Sequence, residues 1–227
     1  MKKKIGPVLT LMRLFEFSPR RYDRRIRLLT GGRLDRVYDW LTELIQEGDL
    51  VLDIGCGTGA LALRAARKGG RVKALDIHPD MLRTAQNRAR DAGLSRRITF
   101  VEMGVAELDR EKSGHYDGVM CGLSLSELTR EEQAFTLRHV HRVLKPGGYF
   151  LVADEARPSG LLGRWSTAIV RGFLKALVFL LSGTTTRPLR GFLDELTAAG
   201  FRPTRVRFHR GLNLLAVSAE KIPGVSG

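Results

Sequence analysis

A short apolar strand that runs directly into a glycine-rich turn is the feature of this sequence that most restricts its fold. Residues 50–54 read Leu-Val-Leu-Asp-Ile, and Gly55-Cys56-Gly57-Thr58-Gly59 follow before a helical stretch begins. Glycines at alternate positions let the backbone turn sharply and approach a ligand that a side chain would block. The next helix adds free N–H groups and a positive dipole end. The pattern predicts a ligand site at the end of a buried strand.

Strand-like and helical segments alternate through the middle of the chain. Beyond residues 50–54, the predicted strands of this part are 72–75, 98–102, 116–121 and 149–153. Helical segments separate them, which favours right-handed crossovers and a parallel sheet covered on both faces. The runs 205–209 and 214–219 have no helix between them and predict an antiparallel hairpin. The predicted fold class is α/β, a doubly wound, mostly parallel seven-stranded sheet with a C-terminal antiparallel hairpin.

Asp53, two residues before the first glycine, separates two interpretations of the turn. The spacing Gly55-x-Gly57-x-x-Ala60, with Asp76 about 20 residues after the turn, also satisfies the dinucleotide-binding pattern. A buried carboxylate at Asp53 would repel a diphosphate but would suit an ammonium group, directly or through water. The turn is therefore predicted to bind a zwitterion with a cationic end.

Four motifs in order resemble those of the class I S-adenosylmethionine-dependent methyltransferases. The first is 51–59, Val-Leu-Asp-Ile-Gly-Cys-Gly-Thr-Gly, and the second is 74–82, Ala-Leu-Asp-Ile-His-Pro-Asp-Met-Leu. Residues 116–121 and 143–152 resemble the later two motifs. Together the motifs cover residues 50–155. The ordering of the whole chain most resembles the ubiquinone/menaquinone-biosynthesis-like C-methyltransferase branch.

The resemblance implies S-adenosylmethionine as the cofactor, S-adenosylhomocysteine as its product, and no metal. It also implies which positions of this sequence contact the cofactor. Those positions are Asp53, Gly55, Cys56, Gly57 and Gly59 at the methionine part, Asp76, Ile77 and Met81 at the ribose and adenine, Val105 and Ala106 at the adenine edge, Cys121 and Leu123 near the sulfonium, and Tyr22 in the N-terminal arm.

The loop after the third strand departs from the family pattern. Many relatives carry an acid there that accepts a hydrogen bond from the adenine amino group, whereas this sequence has Val105 at the aligned position. We expect backbone groups of Val105 and Ala106, or the side chain of Glu107, to hold the adenine instead.

The candidates for acid–base roles are few. Methyl transfer from a sulfonium is an in-line displacement that depends mostly on positioning in a dry pocket, and a base is needed only if the acceptor loses a proton. The candidates are Tyr22 in the arm, Glu127 after the fourth strand and Glu155 at the end of the fifth. Their alternative roles are a half-buried helix tyrosine, a helix-capping acid and a turn acid.

Four further segments resemble the corrinoid-protein-associated methyltransferases of anaerobes. They are residues 18–24, 123–128, 152–158 and 184–187. This resemblance implies association with corrinoid methyl-transfer systems and leaves a small-molecule or carrier-bound acceptor open. The alternative functions are an RNA-directed methyltransferase and a membrane-peripheral lipid or quinone methyltransferase.

Charge divides the chain into parts. Lys and Arg number 38 against 24 Asp and Glu, a net charge of +14. Residues 1–36 hold 11 basic and 3 acidic side chains, residues 37–155 hold 16 and 18, and residues 156–210 hold 10 and 2. We interpret 1–36 as a basic arm or lid, 37–155 as the S-adenosylmethionine-binding core, 156–190 as an apolar and basic helical cap, and 191–227 as a C-terminal helix with the edge hairpin.

The basic flanks predict attraction to an acidic partner such as a corrinoid protein, to an anionic membrane surface, or to nucleic acid. A solvated surface that only keeps the chain soluble is the alternative. Nucleic acid is the least favoured, because the sequence lacks an Asn-Pro-Pro-Tyr motif and aromatic residues interleaved with the basic run. The apolar run 161–181 is interrupted by charge and predicts a pocket cap, a core helix with snorkelling basic heads, or an interfacial membrane helix.

Cysteine usage and the N-terminus bear on location. The two cysteines, Cys56 and Cys121, are too few for a disulfide framework, and no cluster of His, Cys and Asp has metal-binding spacing. No apolar run follows the N-terminal lysines closely enough to resemble a secretory signal. We expect a cytoplasmic location, with a membrane-peripheral one as the alternative.

Overall fold

The computed structural model describes residues 30–156, 188–189, 191–209 and 213–224. The predicted N-terminal arm up to residue 29, with Tyr22, and nearly all of the predicted cap lie outside these residues, so those assignments stay predictions. In chain order the elements are α1 (Arg33–Thr42), β1 (Leu50–Ile54), α2 (Ala60–Arg67), β2 (Arg71–Asp76), α3 (Pro79–Asp91), β3 (Ile98–Glu102), β4 (Tyr116–Gly122), α4 (Arg130–Val143), β5 (Leu144–Glu155), α5 (Phe192–Ala198), β6 (Phe201–His209) and β7 (Leu214–Lys221). Short 3-10 helices, Val105–Arg110 and Leu125–Glu127, follow β3 and β4.

The seven described strands form a sheet in the order β3-β2-β1-β4-β5-β7-β6. The first five strands pair in parallel, and β7 pairs antiparallel with both β5 and β6. The predicted fold class is therefore confirmed. The chain runs outward from β1 to β3 and then crosses back to β4 on the other side of β1. The order in which strands are added to the sheet therefore reverses between β1 and β4. In open α/β sheets this reversal point, at the carboxyl ends of the strands, is where ligands bind.

The observed strands match the predicted ranges closely, with two differences. Strand β5 begins at Leu144 rather than at Tyr149, because Leu144 pairs with Tyr116 before the register shifts and Tyr149 pairs with Gly118. Strand β6 begins at Phe201 rather than at residue 205, because its pairing with β7 continues past an irregularity next to Pro203. A proline is tolerated there because β6 is an edge strand.

Two apolar layers cover the sheet, one on each face. Val51 packs in the layer that contains α1 and α2, and its neighbour Leu52 packs in the layer that contains α4 and α5. Because both faces are buried, β1 needs apolar side chains at successive positions. Phe150 and Phe201, each 0% exposed, contact one another in the second layer with ring centroids 5.7 Å apart. This packing fixes the strand ends on which the candidate site lies.

Candidate functional site

The glycine turn after β1 is left-handed at each of its glycines. The φ angles of Gly55, Gly57 and Gly59 are 66°, 52° and 80°, values that L side chains rarely adopt. A Cβ on Gly55 would lie 2.6 Å from the Cβ of Ser124, and a Cβ on Gly59 would lie 3.1 Å from the Cβ of Ala85. A Cβ on Gly57 would meet no atom within 4 Å. The turn thus packs tightly at its two ends and faces an open cradle at Gly57.

Asp53, near the end of β1, is a buried carboxylate that lacks a hydrogen-bonding partner among the described residues. It is 1% exposed, and neither carboxylate oxygen makes a hydrogen bond within the described part of the chain. Burial, with a smaller contribution from Asp76, raises its pKa to about 7, although the Ala62 amide lies close enough to offset part of this shift. An uncompensated buried carboxylate is costly unless a cation neutralises it. The residue therefore fits the ammonium group that the sequence predicted.

Asp76, at the end of β2, supports the turn from the neighbouring strand. Its Oδ2 accepts a 2.7 Å hydrogen bond from the Gly57 amide, and its Oδ1 accepts one of 2.9 Å from the His78 amide. The side chain lies almost wholly inside the protein. Each carboxylate oxygen can accept a second hydrogen bond, so the predicted contact with ribose hydroxyls is compatible with this supporting role.

Helix α3 is hydrogen-bonded to the glycine turn through Arg88. Nη1 of Arg88 donates hydrogen bonds of 3.0 and 2.9 Å to the carbonyl oxygen and the Oγ1 of buried Thr58. Met81, predicted to contact the cofactor, is buried in the first turn of α3. Its contact with the cofactor stays a prediction.

The adenine side of the predicted site carries an exposed apolar surface. Ile77 is 61% exposed, which is unusual for a large aliphatic side chain and suits a flat apolar ligand. Val105 is half-buried and Ala106 is exposed at the start of the 3-10 helix after β3. The Glu107 carboxylate accepts a 3.4 Å hydrogen bond from the Gly104 amide and pairs with Arg110. The adenine contact stays a prediction, through the backbone of Val105 and Ala106 or through the side chain of Glu107.

The chain after β4 lies against the glycine turn. Oγ of Ser124 donates a 3.0 Å hydrogen bond to the carbonyl oxygen of Ile54 and lies 2.9 Å from the Sγ of Cys121. Leu123 is left-handed, with a φ of 57°. Burial raises the pKa values of the Cys56 and Cys121 thiols, so both are neutral, small side chains at neutral pH rather than reactive thiolates.

The predicted acid–base candidates differ in their surroundings. Glu127 is exposed at the end of the 3-10 helix Leu125–Glu127, and Glu155 is half-buried at the end of β5. Tyr22 lies outside the described residues. The structure thus brings Glu127 and Glu155 to the same edge of the sheet as Asp53 and assigns neither a role.

Asp154, beside the predicted candidate Glu155 at the end of the fifth strand, is the most buried acid described at this edge. It is 0% exposed, its Oδ2 accepts a 3.1 Å hydrogen bond from the Ser126 amide, and its Oδ1 accepts one of 2.7 Å from the Glu155 amide. Burial raises its pKa to about 6. The sequence of β5 does not show which of the two acids is buried, because both faces of this strand are apolar, with Leu151 and Val152 in opposite layers.

Sequence reasoning missed Tyr38, on helix α1, as a residue at this edge of the sheet. A Cβ on Gly122, at the end of β4, would lie 2.8 Å from its hydroxyl oxygen. Helix α1 therefore contributes a polar group to this edge of the sheet, and only glycine fits beneath it.

Metal-binding clusters and membrane-spanning helices are both absent from the described residues. Within them, no group of three or more His, Cys, Asp or Glu side chains could hold a metal ion. Among the helices of this part of the chain, none combines the length and apolar character needed to cross a membrane.

The strand order, the glycine turn and the acids on β1 and β2 define a Rossmann-like protein with a site for a zwitterionic nucleotide. Residues 51–148 match the family described as a methyltransferase domain. The ubiquinone/menaquinone biosynthesis C-methyltransferase UbiE of Azotobacter vinelandii is 36% identical over 158 residues, which are 66% of this chain and 61% of that protein. The UbiE of Pseudomonas entomophila is 34% identical over 155 residues, 66% of this chain and 59% of that protein. By these likenesses residues 51–148 form a methyltransferase domain, and the chain resembles the ubiquinone/menaquinone branch of the class I S-adenosylmethionine-dependent methyltransferases.

The chain spans about 60% of the length of these curated relatives. Among solved structures, an S-adenosylmethionine-dependent methyltransferase from Methanosarcina mazei has a TM-score of 0.62 at 23% identity and covers 79% of this chain and 95% of its own. The cyclase SpnF has a TM-score of 0.63 at 23% identity and covers 84% and 81%. These likenesses concern the fold. Because a cyclase and a methyltransferase share it, the reaction has to be argued from the site.

Proposed function

We propose that this protein transfers a methyl group from S-adenosylmethionine to a ring carbon of a quinol-type acceptor. The observation that carries the cofactor assignment is the buried carboxylate of Asp53, which accepts no hydrogen bond from the described residues, beside the open cradle at Gly57. The acceptor class is drawn from the UbiE relatives, whose names describe C-methylation in ubiquinone and menaquinone biosynthesis.

The proposed cofactor contacts follow the charges and surfaces of the site. S-adenosylmethionine supplies a methyl group on a sulfonium, which makes that carbon reactive without activation by the protein. Asp53 would hold the ammonium group, and Asp76 would accept hydrogen bonds from the ribose hydroxyls. Ile77 would cover the adenine ring, and Cys121 and Leu123 would border the sulfonium. The main contribution of the protein is then to orient the two reactants and to exclude water.

A carbon acceptor loses a proton when it is methylated, so the proposal requires a proton acceptor. We assign this role to Glu155 rather than Glu127. Glu155 is half-buried at the end of β5, where water is partly excluded, whereas Glu127 is exposed. The predicted helical cap of residues 156–190, nearly all of which lies outside the described residues, would complete the proposed pocket.

The direct test is a methyl-transfer assay with defined acceptors. We expect the protein to bind S-adenosylhomocysteine in titration calorimetry and to methylate a reduced prenylated naphthoquinone that has one free ring position. Mass spectrometry of the product would locate the methyl group on carbon. A catechol and a structured RNA serve as the oxygen and nucleic-acid comparisons. Cofactor binding with methylation of the RNA alone would overturn the proposed acceptor but not the cofactor assignment.

An acceptor with a prenyl chain resides in membranes, and the charge of the protein suits an anionic lipid surface. In the described part, the guanidinium carbons of Arg205 and Arg207 lie 4.3 and 4.4 Å from the centre of the Trp40 ring. Arg205 is paired with Glu43 at 2.9 Å. We propose that β6 and the basic flanks direct the protein to such a surface, and that an acidic corrinoid protein is the competing partner.

A further inference from the structure

The chain between β4 and α4 is fastened to the strands on both sides of β4. We call residues 123–126 the post-β4 segment. The Leu123 amide donates a 2.8 Å hydrogen bond to the carbonyl oxygen of Ala153 on β5. The Ser124 hydroxyl donates one of 3.0 Å to Ile54 at the end of β1. The Ser126 amide donates one of 3.1 Å to the carboxylate of Asp154 on β5. The segment therefore has little freedom to move.

The segment also contains backbone strain. Leu123 has a φ of 57°, in the left-handed region that a leucine avoids because its Cβ approaches the following carbonyl. Such a conformation persists only when the surrounding structure enforces it, and it is commonest at functional sites. The hydrogen bonds on either side of Leu123 supply that enforcement.

Burial of the Asp154 carboxylate costs free energy, although this carboxylate holds the post-β4 segment in place. It is 0% exposed, and its carboxylate spends one oxygen on the Ser126 amide and the other on the Glu155 amide. Within the described part of the chain Asp154 forms no salt bridge with Lys or Arg. Its burial is therefore compensated by hydrogen bonds alone. A residue retained at this cost suggests a requirement beyond stability.

The segment is in direct contact with the cofactor turn. The side chain of Ser124 occupies the space that a Cβ on Gly55 would need, at 2.6 Å. A shift of the segment would therefore disturb Gly55 and, through Ile54, the end of β1 where Asp53 lies. The segment is bonded to β1 through Ser124 and to Asp154 through Ser126. The position of the segment therefore depends on the Asp154 carboxylate.

We infer that Asp154 is a positioning residue for cofactor binding, which holds the post-β4 segment against the glycine turn. It acts through Ser126 and Ser124 and does not itself touch the cofactor. The inference rests on binding of S-adenosylmethionine at the turn and is independent of the acceptor.

The test compares Asp154 with a matched carboxylate at the opposite edge of the sheet. Asp117 also accepts a backbone hydrogen bond, from the Leu50 amide at 2.9 Å, and it pairs with Lys145 at 2.5 Å. For Asp154→Ala we expect the affinity for S-adenosylhomocysteine to fall about tenfold or more. We also expect faster hydrogen–deuterium exchange in the post-β4 segment. Asp154→Asn should recover part of the affinity, because its amide oxygen accepts one of the two bonds. Asp117→Ala should lower the melting temperature and leave the affinity unchanged.

A second variant keeps the inference testable if the Asp154 variants do not fold. Ser124→Ala removes the hydrogen bond to Ile54 and keeps the Asp154 carboxylate, so it should fold with little change in melting temperature but with faster exchange in the segment and weaker S-adenosylhomocysteine binding. Wild-type affinity in Asp154→Ala, or an equal loss of affinity in Asp117→Ala, would overturn the inference. If the wild-type protein itself does not bind S-adenosylhomocysteine, the cofactor assignment fails instead, and the exchange measurement still reports on the fastening.

Discussion

The backbone amide of Gly57 donates a 2.7 Å hydrogen bond to Oδ2 of Asp76, across a sequence separation of 19 residues. This bond joins the turn after β1 to the end of β2, so the two sequence motifs form a single structural unit. The acid on β2 shapes the cradle as well as facing the ribose position. Substitutions at Asp76 should therefore change stability and binding together.

For Asp76→Ala we expect weaker binding of S-adenosylmethionine, by tenfold or more, and a free energy of unfolding lower by about 1–3 kcal/mol. Two backbone amides would lose their acceptor and the ribose hydroxyls would lose theirs. Titration calorimetry and urea unfolding measure the two effects. Asp80→Ala is the control, because its carboxylate is exposed and pairs with Arg83 on the surface. Unchanged affinity in Asp76→Ala would contradict the assignment.

Asp53→Asn should have the opposite effect on stability. Burial raises the folded-state pKa of Asp53 to about 7, above its ordinary value of 3.8. Its contribution to stability is therefore full below about pH 4 and is lost as the pH rises through about 7. Asparagine does not ionise, so the cofactor-free variant should be more stable than the wild type by about 1–3 kcal/mol at about pH 8, with a smaller difference at about pH 5. Urea unfolding at both pH values is the measurement, and a variant less stable at the higher pH would argue against an unpartnered carboxylate.

Cofactor binding should release protons on the acid side of neutrality. An ammonium group beside Asp53 favours the ionised carboxylate and lowers its pKa, so a protonated Asp53 must lose its proton when the cofactor binds. Calorimetry at about pH 6 in buffers of different ionisation enthalpy should show close to one proton more released by the wild type than by Asp53→Asn. Equal proton release by the two proteins would mean that the ammonium group lies elsewhere.

His141 should make the fold sensitive to acid. It is 5% exposed between α4 and β6, its Nε2 has no hydrogen-bonding partner among the described residues, and its ring meets Phe201 edge-on at 5.3 Å. Burial, with help from Lys221, lowers its pKa. The unfolded chain binds this proton more readily, so stability should be present above about pH 6.5 and fall as the pH decreases below it. His141→Leu should flatten that decline in thermal unfolding, whereas His115→Gln should keep it.

Binding to anionic vesicles should depend on the exposed end of β6. Within the described residues Arg205 has a carboxylate partner, Glu43, whereas Arg207 has none. We expect Arg207→Gln to weaken vesicle binding several-fold, and added salt to weaken binding of the wild type steeply. Co-sedimentation with anionic and zwitterionic vesicles measures this. Salt-independent binding, or equal binding to both lipids, would leave the basic charge with a role in solubility alone.

The sequence predicted the fold well because the strands buried on both faces read as continuous apolar runs. Residues 50–54 show this, whereas residues 98–102 have the predicted bounds although only Ile98 among them is buried. The turn after β1 could be recognised because its glycines follow a buried acid. The post-β4 segment could not be predicted, since a left-handed Leu123 contradicts local preference and depends on hydrogen bonds from other strands. Asp154 ends the same strand as Glu155, and the sequence does not show which of the two carboxylates is buried, because apolar residues cover both faces of β5.

Some predictions concern residues that the structure does not describe. Tyr22 as a lid residue and the helical cap depend on the arm and on the stretch after β5, and they stay predictions. Association with a corrinoid system also stays a prediction, because its evidence is a resemblance between short segments. The adenine contact, through the backbone of Val105 and Ala106 or through the side chain of Glu107, also stays a prediction.

Strand β7 follows β6 in the chain but lies between β5 and β6 in the sheet. During synthesis β6 therefore leaves the ribosome before the strand that links it to the rest of the sheet. Until β7 emerges, β5 keeps one unpaired edge, and nascent chains on neighbouring ribosomes could pair with it. We therefore expect slow translation, or chaperones that shield that edge, to increase the yield of folded protein. We also expect truncation within β7 to destabilise the fold far more than truncation of an ordinary edge strand.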